Sequence, residues 1–279
     1  MITNKAGVAI QGFEGSFHQV AARKFFGKST EVVCCATFRE LIKSAADRQK
    51  TTAAVMAIEN SIAGSILANY NLLQKSNLKI VGEIYLQINQ NLLVNPGISL
   101  DDIREVHSHP MAIQQCLGFL DKYNWKLVET EDTALSAKRI HQNRSKHIAA
   151  IASKLAAELF SLDVLAPNIH TQKANYTRFL VLKREPEVFD IELANKASVN
   201  FTTDHKRGSL AKVLQAIADE GINLSKLQSF PIPGTKFKYS FHADMEFEET
   251  SQFYKVIKKL TVITSECKVY GLYKNGQLS

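Results

Sequence analysis

Short apolar runs alternate with segments of helical spacing along the first two-thirds of the chain. The strand-like runs span residues 8–10, 32–35, 53–58, 105–108, 125–128, 147–151 and 178–182. Segments whose apolar positions repeat with helical spacing begin at about Ser16, Thr37, Pro110, Thr133 and Ser153. A longer extended stretch, residues 79–94, lies between the two blocks. This alternation predicts an α/β fold.

A charged segment that contains a proline, residues 183–187, follows the last of these strands and is typical of a domain boundary. Strands are predicted beyond it at 198–201, 222–229, 236–247 and 266–273, with helices at 208–220 and 251–259. This βαββαβ order is that of a ferredoxin-like domain. We therefore predict domains at residues 1–183 and 196–279, joined by a linker at 184–195.

Composition and charge narrow the range of partners. The chain of 279 residues has a formal net charge of +7, which favours anionic partners. Its basic residues are scattered and Trp125 is its one tryptophan, so it lacks the aromatic-studded basic stripe of a nucleic-acid-binding protein. No apolar run approaches the roughly 18 residues of a membrane span, and the four cysteines match neither a disulfide framework nor a zinc site. We expect a cytoplasmic protein that binds neither nucleic acid nor a membrane.

Polar side chains follow several of the predicted strands. The segment from Gly12 to Ser16 joins a strand to a helix, so backbone N–H groups at the helix start can hold an anion. Glu59, Asn60 and Ser61 follow another buried strand. Ligands of open α/β sheets bind outside the carboxyl ends of strands, but helix capping explains the same residues. The sequence leaves both interpretations open.

The second block repeats this arrangement with Ser108, His109 and Pro110, and Gln115 lies further along the helix that follows. Thr177 and Arg178 are different in kind, because a hydroxyl and a guanidinium stand side by side at the start of an apolar strand. An arginine can bind a carboxylate with two hydrogen bonds, and a threonine can donate a hydrogen bond to a leaving oxygen.

Together, these residues resemble the motifs of the prephenate dehydratase family over about residues 5–183. The motifs, in family order, are Gly12-x-x-Gly15-Ser16-Phe17, Ile58-Glu59-Asn60-Ser61-x-x-Gly64, Ser108-His109-Pro110 with Gln115-Cys116, Ala149-Ala150-Ile151-Ala152-Ser153, and Asn175-Tyr176-Thr177-Arg178-Phe179. The C-terminal part resembles the ACT domain that follows the catalytic domain in that family. Its motifs are Gly208-Ser209-Leu210, Gly221-Ile222-Asn223-Leu224 and Ser229-Phe230-Pro231.

The resemblance implies a catalytic region of two α/β lobes, similar in build to type 2 periplasmic binding proteins, with the active site in the cleft between them. Lobe 1 is expected at about residues 1–85 and 167–183, and lobe 2 at about 86–166. The family converts prephenate to phenylpyruvate in phenylalanine biosynthesis, with loss of water and carbon dioxide. No metal or organic cofactor is implied.

The same resemblance implies roles for particular residues. Thr177 matches the family's essential threonine and is expected to help the hydroxyl group leave, with Asn60 or Glu59 as its catalytic neighbour. Arg178 is expected to bind a substrate carboxylate. The other expected substrate-binding residues are Ser16, Ser61, Ser108, Gln115 and Phe179.

An ACT domain implies regulation by L-phenylalanine and pairing of chains into a dimer or tetramer. The expected effector-binding residues are Gly208, Ser209, Leu210, Asn223, Leu224, Gln228 and Ser229. The chain departs from the pattern of phenylalanine-inhibited members at Gln228 and Phe230, where these usually carry glutamate and arginine.

Two alternatives to prephenate dehydration stay open. Arogenate, the amino counterpart of prephenate, is dehydrated by the same mechanism in the same family, and the sequence does not separate the two substrates. The other alternative belongs to a different class, a non-catalytic sensor of a small molecule that has kept the fold. Retention of Thr177 and Arg178 favours an enzyme.

Overall fold

The structure is a computed structural model in which residues 7–185, 193–236 and 238–276 are described. Contacts between residues divide the chain into two units. Among the described residues, unit 1 comprises residues 7–77 together with Ile84–Leu180, and unit 2 comprises Leu78–Glu83 together with the residues from Val181 to 276. Residues 186–192 of the predicted linker lie outside the described residues, and the predicted domain boundaries stay predictions. None of the helices in the described ranges combines the length and the apolar character that a membrane crossing needs.

Strands and helices alternate through residues 7–183. In chain order they are β1 (Gly7–Gln11), α1 (Phe17–Phe26), β2 (Val32–Cys35), α2 (Phe38–Ala46), β3 (Thr51–Asn60), β4 (Gly64–Ser65), α3 (Leu67–Gln74), β5 (Lys79–Gln87), β6 (Asn91–Val94), a 3-10 turn (Leu100–Asp102), β7 (Glu105–Ser108), α4 (Pro110–Leu120), β8 (Lys126–Glu129), α5 (Thr133–Gln142), β9 (Ile148–Ala152), α6 (Lys154–Leu159), β10 (Asp163–Ala166) and β11 (Tyr176–Lys183). The predicted extended stretch at 79–94 is two strands, β5 and β6, and β10 was not predicted. The predicted α/β class is confirmed.

Side-chain caps fix where several of these helices begin. Each cap accepts a hydrogen bond from a backbone N–H two or three residues later, over 2.8 to 3.4 Å. Such caps satisfy N–H groups that have no partner within the first helical turn. The caps are Ser16 for α1, Thr37 for α2, His109 for α4 and Asp132 for α5.

The first sheet has the strand order β2-β1-β3-β11-β5, and β4 pairs with β3. Strand β1 is parallel to β2 and β3, and the apolar runs of β1 and β3 are buried, as is typical of parallel strands. The carboxyl ends of β1 and β3 therefore meet at one edge of the sheet. Strand β11 begins at the same edge, because the Ser61 N–H donates to the Tyr176 carbonyl oxygen over 2.8 Å.

The second sheet of unit 1 has the strand order β10-β6-β9-β7-β8. Strand β7 is parallel to β8 and β9, so helices α4 and α5 begin at the same edge of this sheet. Val106 of β7, Ile113 and Cys116 of α4, and Ile151 of β9 are buried together in one apolar cluster. Their packing fixes the position of α4 on the sheet.

The described part of unit 2 after residue 193 has the predicted βαββαβ order. Its elements are β12 (Lys196–Thr202), α7 (Ser209–Ala218), β13 (Asn223–Pro231), β14 (Tyr239–Glu246), α8 (Thr250–Ile263) and β15 (Glu266–Tyr273). The strand order is β13-β14-β12-β15, and the paired strands are antiparallel. Val199, Phe201, Val213, Ile217 and Phe253 pack the two helices onto one face of this sheet.

Buried polar side chains lie on the other face of the same sheet, because alternate residues of a strand point to opposite sides. Lys196 is fully buried, and its Nζ lies 3.0 Å from a carboxylate oxygen of Glu83 and 3.1 Å from one of Glu246. The Ser198 hydroxyl donates to the buried Asp244 carboxylate. The buried Lys196 charge is thus compensated by the carboxylates of Glu83 and Glu246, as a buried charge requires.

Candidate active site

A cavity of about 320 Å³ lies where the strand ends and helix starts of unit 1 come together. Both sheets contribute to its walls, the first through β1, β3 and β11 and the second through the helices that follow β7 and β8. The lining residues are Gln11, Ser16, Phe17, His18, Phe38, Ala57, Asn60, Ile66, Ile88, Gln90, His109, Met111, Ala112, Gln115, Glu131, Asp132, Thr133, Thr177 and Phe179. The cavity thus lies outside the carboxyl ends of parallel strands.

The N-termini of α1, α2, α4 and α5 reach this cavity, because residues of their first turns line it. These residues are Phe17, His18, Phe38, Met111, Ala112 and Thr133. A helix N-terminus carries partial positive charge and backbone N–H groups that bind anions. The lining residues, all within the described ranges, include no lysine or arginine. The attraction of this cavity for an anion therefore comes from helix N-termini.

The Asn60 side chain has its orientation fixed by its own backbone surroundings. Its Oδ1 accepts hydrogen bonds from the N–H groups of Ile62, at 3.0 Å, and Ala63, at 2.9 Å. The amide nitrogen must then point the other way, and Nδ2 donates to Thr177 Oγ1 over 3.0 Å. The Thr177 oxygen is therefore the acceptor of this bond, and its own proton points away from Asn60.

The O–H group of Thr177 has no hydrogen-bond acceptor among the described residues. Its side chain lines the cavity, and its bond from Asn60 is its one hydrogen bond with the side chains and backbone of the described residues. A hydroxyl both accepts and donates hydrogen bonds. A bound ligand can therefore receive the Thr177 proton.

Asn175 connects the Asn60 amide of the first sheet to helix α4 through two further hydrogen bonds. Its Oδ1 accepts from Asn60 Nδ2 over 2.8 Å, and its own Nδ2 donates to Gln115 Oε1 over 3.2 Å. Asn175 is fully buried, so these bonds are shielded from water. Thr177, Asn60, Asn175 and Gln115 form a continuous chain of hydrogen bonds along the wall of the cavity.

The expected substrate-binding residues divide into two groups. Ser16, Gln115 and Phe179 line the cavity. Ser61 and Ser108 do not, because their hydroxyls are used within the fold. Ser61 ties the end of β3 to the start of β11, and the fully buried Ser108 ties β7 to β9.

Glu59 and Arg178 lie beside the cavity but are not among its lining residues. Arg178 lies between Thr177 and Phe179, which do line the cavity, and neighbouring residues of a strand point to opposite sides. Glu59 lies on β3 between the lining residues Ala57 and Asn60 but does not itself line the cavity. The Arg178 guanidinium lies 6.0 Å from the ring centre of Tyr85. The cavity gives no support to a catalytic Glu59 or to a contact between Arg178 and a substrate carboxylate, and both stay predictions.

His18 is a lining residue that the sequence analysis did not select. Its Nε2 accepts a hydrogen bond from the Ala57 N–H over 3.3 Å, which requires a neutral ring. Burial lowers the pKa of His18 to about 3. Its ring also meets the Phe179 ring edge-on, with centroids 5.0 Å apart. His18 is therefore an uncharged wall of the cavity at neutral pH.

Glu131 and Asp132 also line the cavity without having been selected. Asp132 caps α5, its Oδ1 accepting from the Leu135 N–H over 2.8 Å, and burial raises the pKa of its carboxyl group. These residues follow β8, just as His109 follows β7. The rule that ligands bind beyond strand ends would have found them.

The expected effector-binding residues lie in unit 2. Gly208 precedes α7 with φ +79°, a backbone conformation that favours glycine. Ser209 and Leu210 line a cavity of about 380 Å³ together with Lys206 and Arg207. The remaining residues lie on the edge strand β13 and do not line this cavity; they are Asn223, Leu224, Gln228 and Ser229.

The described ranges contain no group of three or more His, Cys, Asp or Glu side chains placed to hold a metal ion. The cysteines are free thiols. Burial raises the pKa of Cys34 to about 11 and that of Cys116 to about 12, so both thiols are protonated at neutral pH.

Comparison with protein families and curated proteins gives consistent matches. A family model described as prephenate dehydratase matches residues 8–187. The bifunctional chorismate mutase/prephenate dehydratase of Escherichia coli (strain K12) is 33% identical over 275 residues, which cover 97% of this chain and 71% of that protein. Arogenate dehydratase/prephenate dehydratase 2, chloroplastic, of Arabidopsis thaliana is 36% identical over 282 residues, covering 97% of this chain and 73% of that protein.

Solved structures with a similar fold include proteins with different described activities. GqqA, described as a quorum quenching acylase, has a TM-score of 0.87 and 29% identity, covering 96% of this chain and 98% of its own. The prephenate dehydratase of Arthrobacter aurescens in complex with L-Phe has a TM-score of 0.83 and 26% identity, covering 96% of this chain and 89% of its own.

His18 is expected to make stability fall at low pH. Its pKa is about 3 in the folded chain and 6.5 in an exposed histidine, so between these values the unfolded state binds a proton that the folded state does not. When the pH is lowered from 7 to 5, the free energy of unfolding should therefore fall by about 1 to 2 kcal/mol more in the wild type than in His18→Gln. Urea denaturation of both proteins at the two pH values measures this difference. Equal pH dependence in the two proteins would show that His18 is solvated.

Proposed function

Because the chain belongs to the prephenate dehydratase family, we propose that it converts prephenate to phenylpyruvate in phenylalanine biosynthesis. The observation that supports this most directly is the hydrogen bond from Asn60 to Thr177 at the wall of the cavity, which leaves the Thr177 proton free for a substrate. Membership of an enzyme family favours catalysis over the sensor alternative.

The reaction removes a carboxyl group and a hydroxyl group from the ring of prephenate, and the ring becomes aromatic. The bond to the carboxyl carbon breaks and its electron pair enters the ring, while the bond to the hydroxyl oxygen breaks. Hydroxide is a poor leaving group, so it needs a hydrogen bond or a proton as it departs. We assign this donor to the Thr177 hydroxyl, whose proton passes to the departing oxygen as water forms; one proton from solvent then restores the hydroxyl in each turnover. The Asn60 amide, which donates to Thr177 Oγ1, stabilises the negative charge that grows there.

The anionic groups of prephenate have partners in this cavity even though no cationic side chain lines it. The N-termini of α1, α2, α4 and α5 present partial positive charge to the cavity. Phe179, Phe17 and Ile88 supply apolar walls for the ring. An apolar surrounding favours loss of the ring carboxylate, because the charge disappears from the ring as carbon dioxide leaves.

Gln115 and Asn175 are assigned a positioning role. They join helix α4 of the second sheet to Asn60 and Thr177 of the first through hydrogen bonds of 3.2 and 2.8 Å. Small errors in the position of a catalytic group cost large factors in rate. The network therefore holds the Thr177 hydroxyl in place relative to a substrate that contacts both sheets.

Arogenate is a second candidate substrate, and the Asp132 carboxyl group at the wall of the cavity is the observation that favours it. The neighbouring Glu131 also lines the cavity, but its carboxylate already pairs with the Arg139 guanidinium through two hydrogen bonds. Arogenate carries an ammonium group where prephenate has a keto group, and an ammonium group gains from a nearby carboxylate. Burial raises the pKa of the Asp132 carboxyl group, and an ammonium group beside it would favour the charged form.

We propose that residues 196–279 form an ACT domain that binds L-phenylalanine. The βαββαβ order of unit 2 supports this, as does the related structure that contains L-Phe. The cavity lined by Ser209 and Leu210 is the candidate site for this ligand. Lys206 and Arg207, which also line it, would bind the carboxylate of an amino acid. Assembly into a dimer or tetramer and a cytoplasmic location stay predictions.

Thr177→Ala is expected to lower kcat on prephenate at least about 100-fold and to change KM less than about threefold, because the hydroxyl acts on the leaving group. Thr177→Ser keeps a hydroxyl and should recover most of the lost rate. Thr261→Ala, on the exposed side of α8, is the control. Steady-state assays of phenylpyruvate formation measure all three, and a Thr177→Ala variant with wild-type kcat would remove Thr177 from the chemistry.

Asp132→Asn keeps a good helix cap but removes a charge from the cavity. If arogenate is a substrate, the ratio of kcat/KM for arogenate to that for prephenate should fall roughly tenfold, the loss of one charge-assisted hydrogen bond. Asp121→Asn, outside the cavity, should leave the ratio unchanged. Parallel assays on the two substrates give the ratio, and an unchanged value in Asp132→Asn contradicts the contact with an ammonium group.

A further inference from the structure

A second, larger cavity of unit 1 lies apart from the candidate active site. Its volume is about 870 Å³, and it is an open groove formed by α1, α6, β10 and the loop between β5 and β6. Phe17 is the one described residue that lines both cavities. The apolar part of the groove consists of Phe17, Val20, Leu86, Leu155, Val164 and Pro167.

Several polar side chains of the groove are already committed to the fold. Asn91 Nδ2 donates to the Ala152 carbonyl oxygen over 3.1 Å, and its Oδ1 accepts from the Asn168 N–H over 3.1 Å. The Ser153 hydroxyl donates to the Gly15 carbonyl oxygen. These groups shape the groove, but they have little hydrogen-bonding capacity left for a ligand.

The positive charges of the groove are not committed in this way. Arg23, Lys28 and Lys154 line it, and none of their side chains makes an ion pair or a hydrogen bond with the described residues. The Arg23 Nε–H is buried and lacks a partner within the described ranges. A buried donor without a partner is uncommon in native proteins and points to a missing acceptor. Glu158 is the one acidic residue in the described lining of the groove.

We propose that this groove binds a small organic anion, a carboxylate on an apolar ring or chain, with Arg23 as the main contact of the carboxylate. The combination of an apolar floor with a few convergent polar groups is that of small-molecule sites, and the volume lies in their usual range. A guanidinium binds a carboxylate with two hydrogen bonds, and Lys28 and Lys154 add positive charge at the rim. This site does not depend on the reaction proposed for the other cavity.

Isothermal titration of the full chain with 4-phenylbutyrate tests the proposal. The wild type should bind it, and Arg23→Gln should weaken binding at least tenfold without lowering the melting temperature. Arg39→Gln, an exposed arginine of α2 outside the groove, is the matched control and should bind like the wild type. The neutral analogue 4-phenyl-1-butanol, which keeps the apolar body and lacks the charge, should bind at least tenfold more weakly than the carboxylate.

Four outcomes would overturn the proposal. The first is that 4-phenylbutyrate does not bind at millimolar concentration, and the second is that Arg23→Gln binds it as well as the wild type, which places it elsewhere. The third is equal affinity for the alcohol and the carboxylate, which removes the role of the cations. Loss of binding as protein concentration rises would show that a second copy of the chain covers the groove, and this also contradicts the proposal.

Discussion

The candidate active site depends on the orientation of one amide, that of Asn60. The N–H groups of Ile62 and Ala63 both donate to its Oδ1, so a flipped amide would place donors against donors. With this orientation fixed, Nδ2 donates to Asn175 and Thr177 on the strand beside it. Thr177 must then accept from Asn60, and its proton is left for a substrate. The end of one strand thus determines the chemistry available at the start of another.

The cavity around this amide attracts anions without any cationic side chain. Parallel strands bring helix N-termini to common edges, and first-turn residues of α1, α2, α4 and α5 line the cavity. The fold itself therefore supplies the positive potential that a dianionic substrate needs. The Asp132 carboxyl group opposes this potential at one part of the wall, and we therefore assign to it the choice between a keto and an amino substrate.

Most of the strands and helices of the fold could be predicted from the sequence, because strand periodicity and helix caps such as Ser16 and Thr37 are local signals. The residues beyond strand ends, Asn60 and Thr177 among them, follow from the same signals together with the family resemblance. Strand alternation sends Thr177 and Arg178 to opposite sides of β11, but the sequence does not tell which side faces the cavity, so the place of Arg178 could not be predicted. The burial of Lys196 could not be predicted either. A lysine near a charged linker resembles a surface residue, and its partner Glu83 is far away in the chain.

Fold similarity alone does not decide the reaction, since a structure with a TM-score of 0.87 is described as an acylase. The proposed dehydration rests on the coupling between Asn60 and Thr177, and a double-mutant cycle on prephenate turnover measures this coupling most directly. Asn60→Asp keeps the acceptor for Ile62 and Ala63 but removes the donor to Thr177. If the amide acts through the hydroxyl, Asn60→Asp should lower kcat in the wild type and have little further effect in Thr177→Ala. Losses that multiply in the double variant would contradict the mechanism.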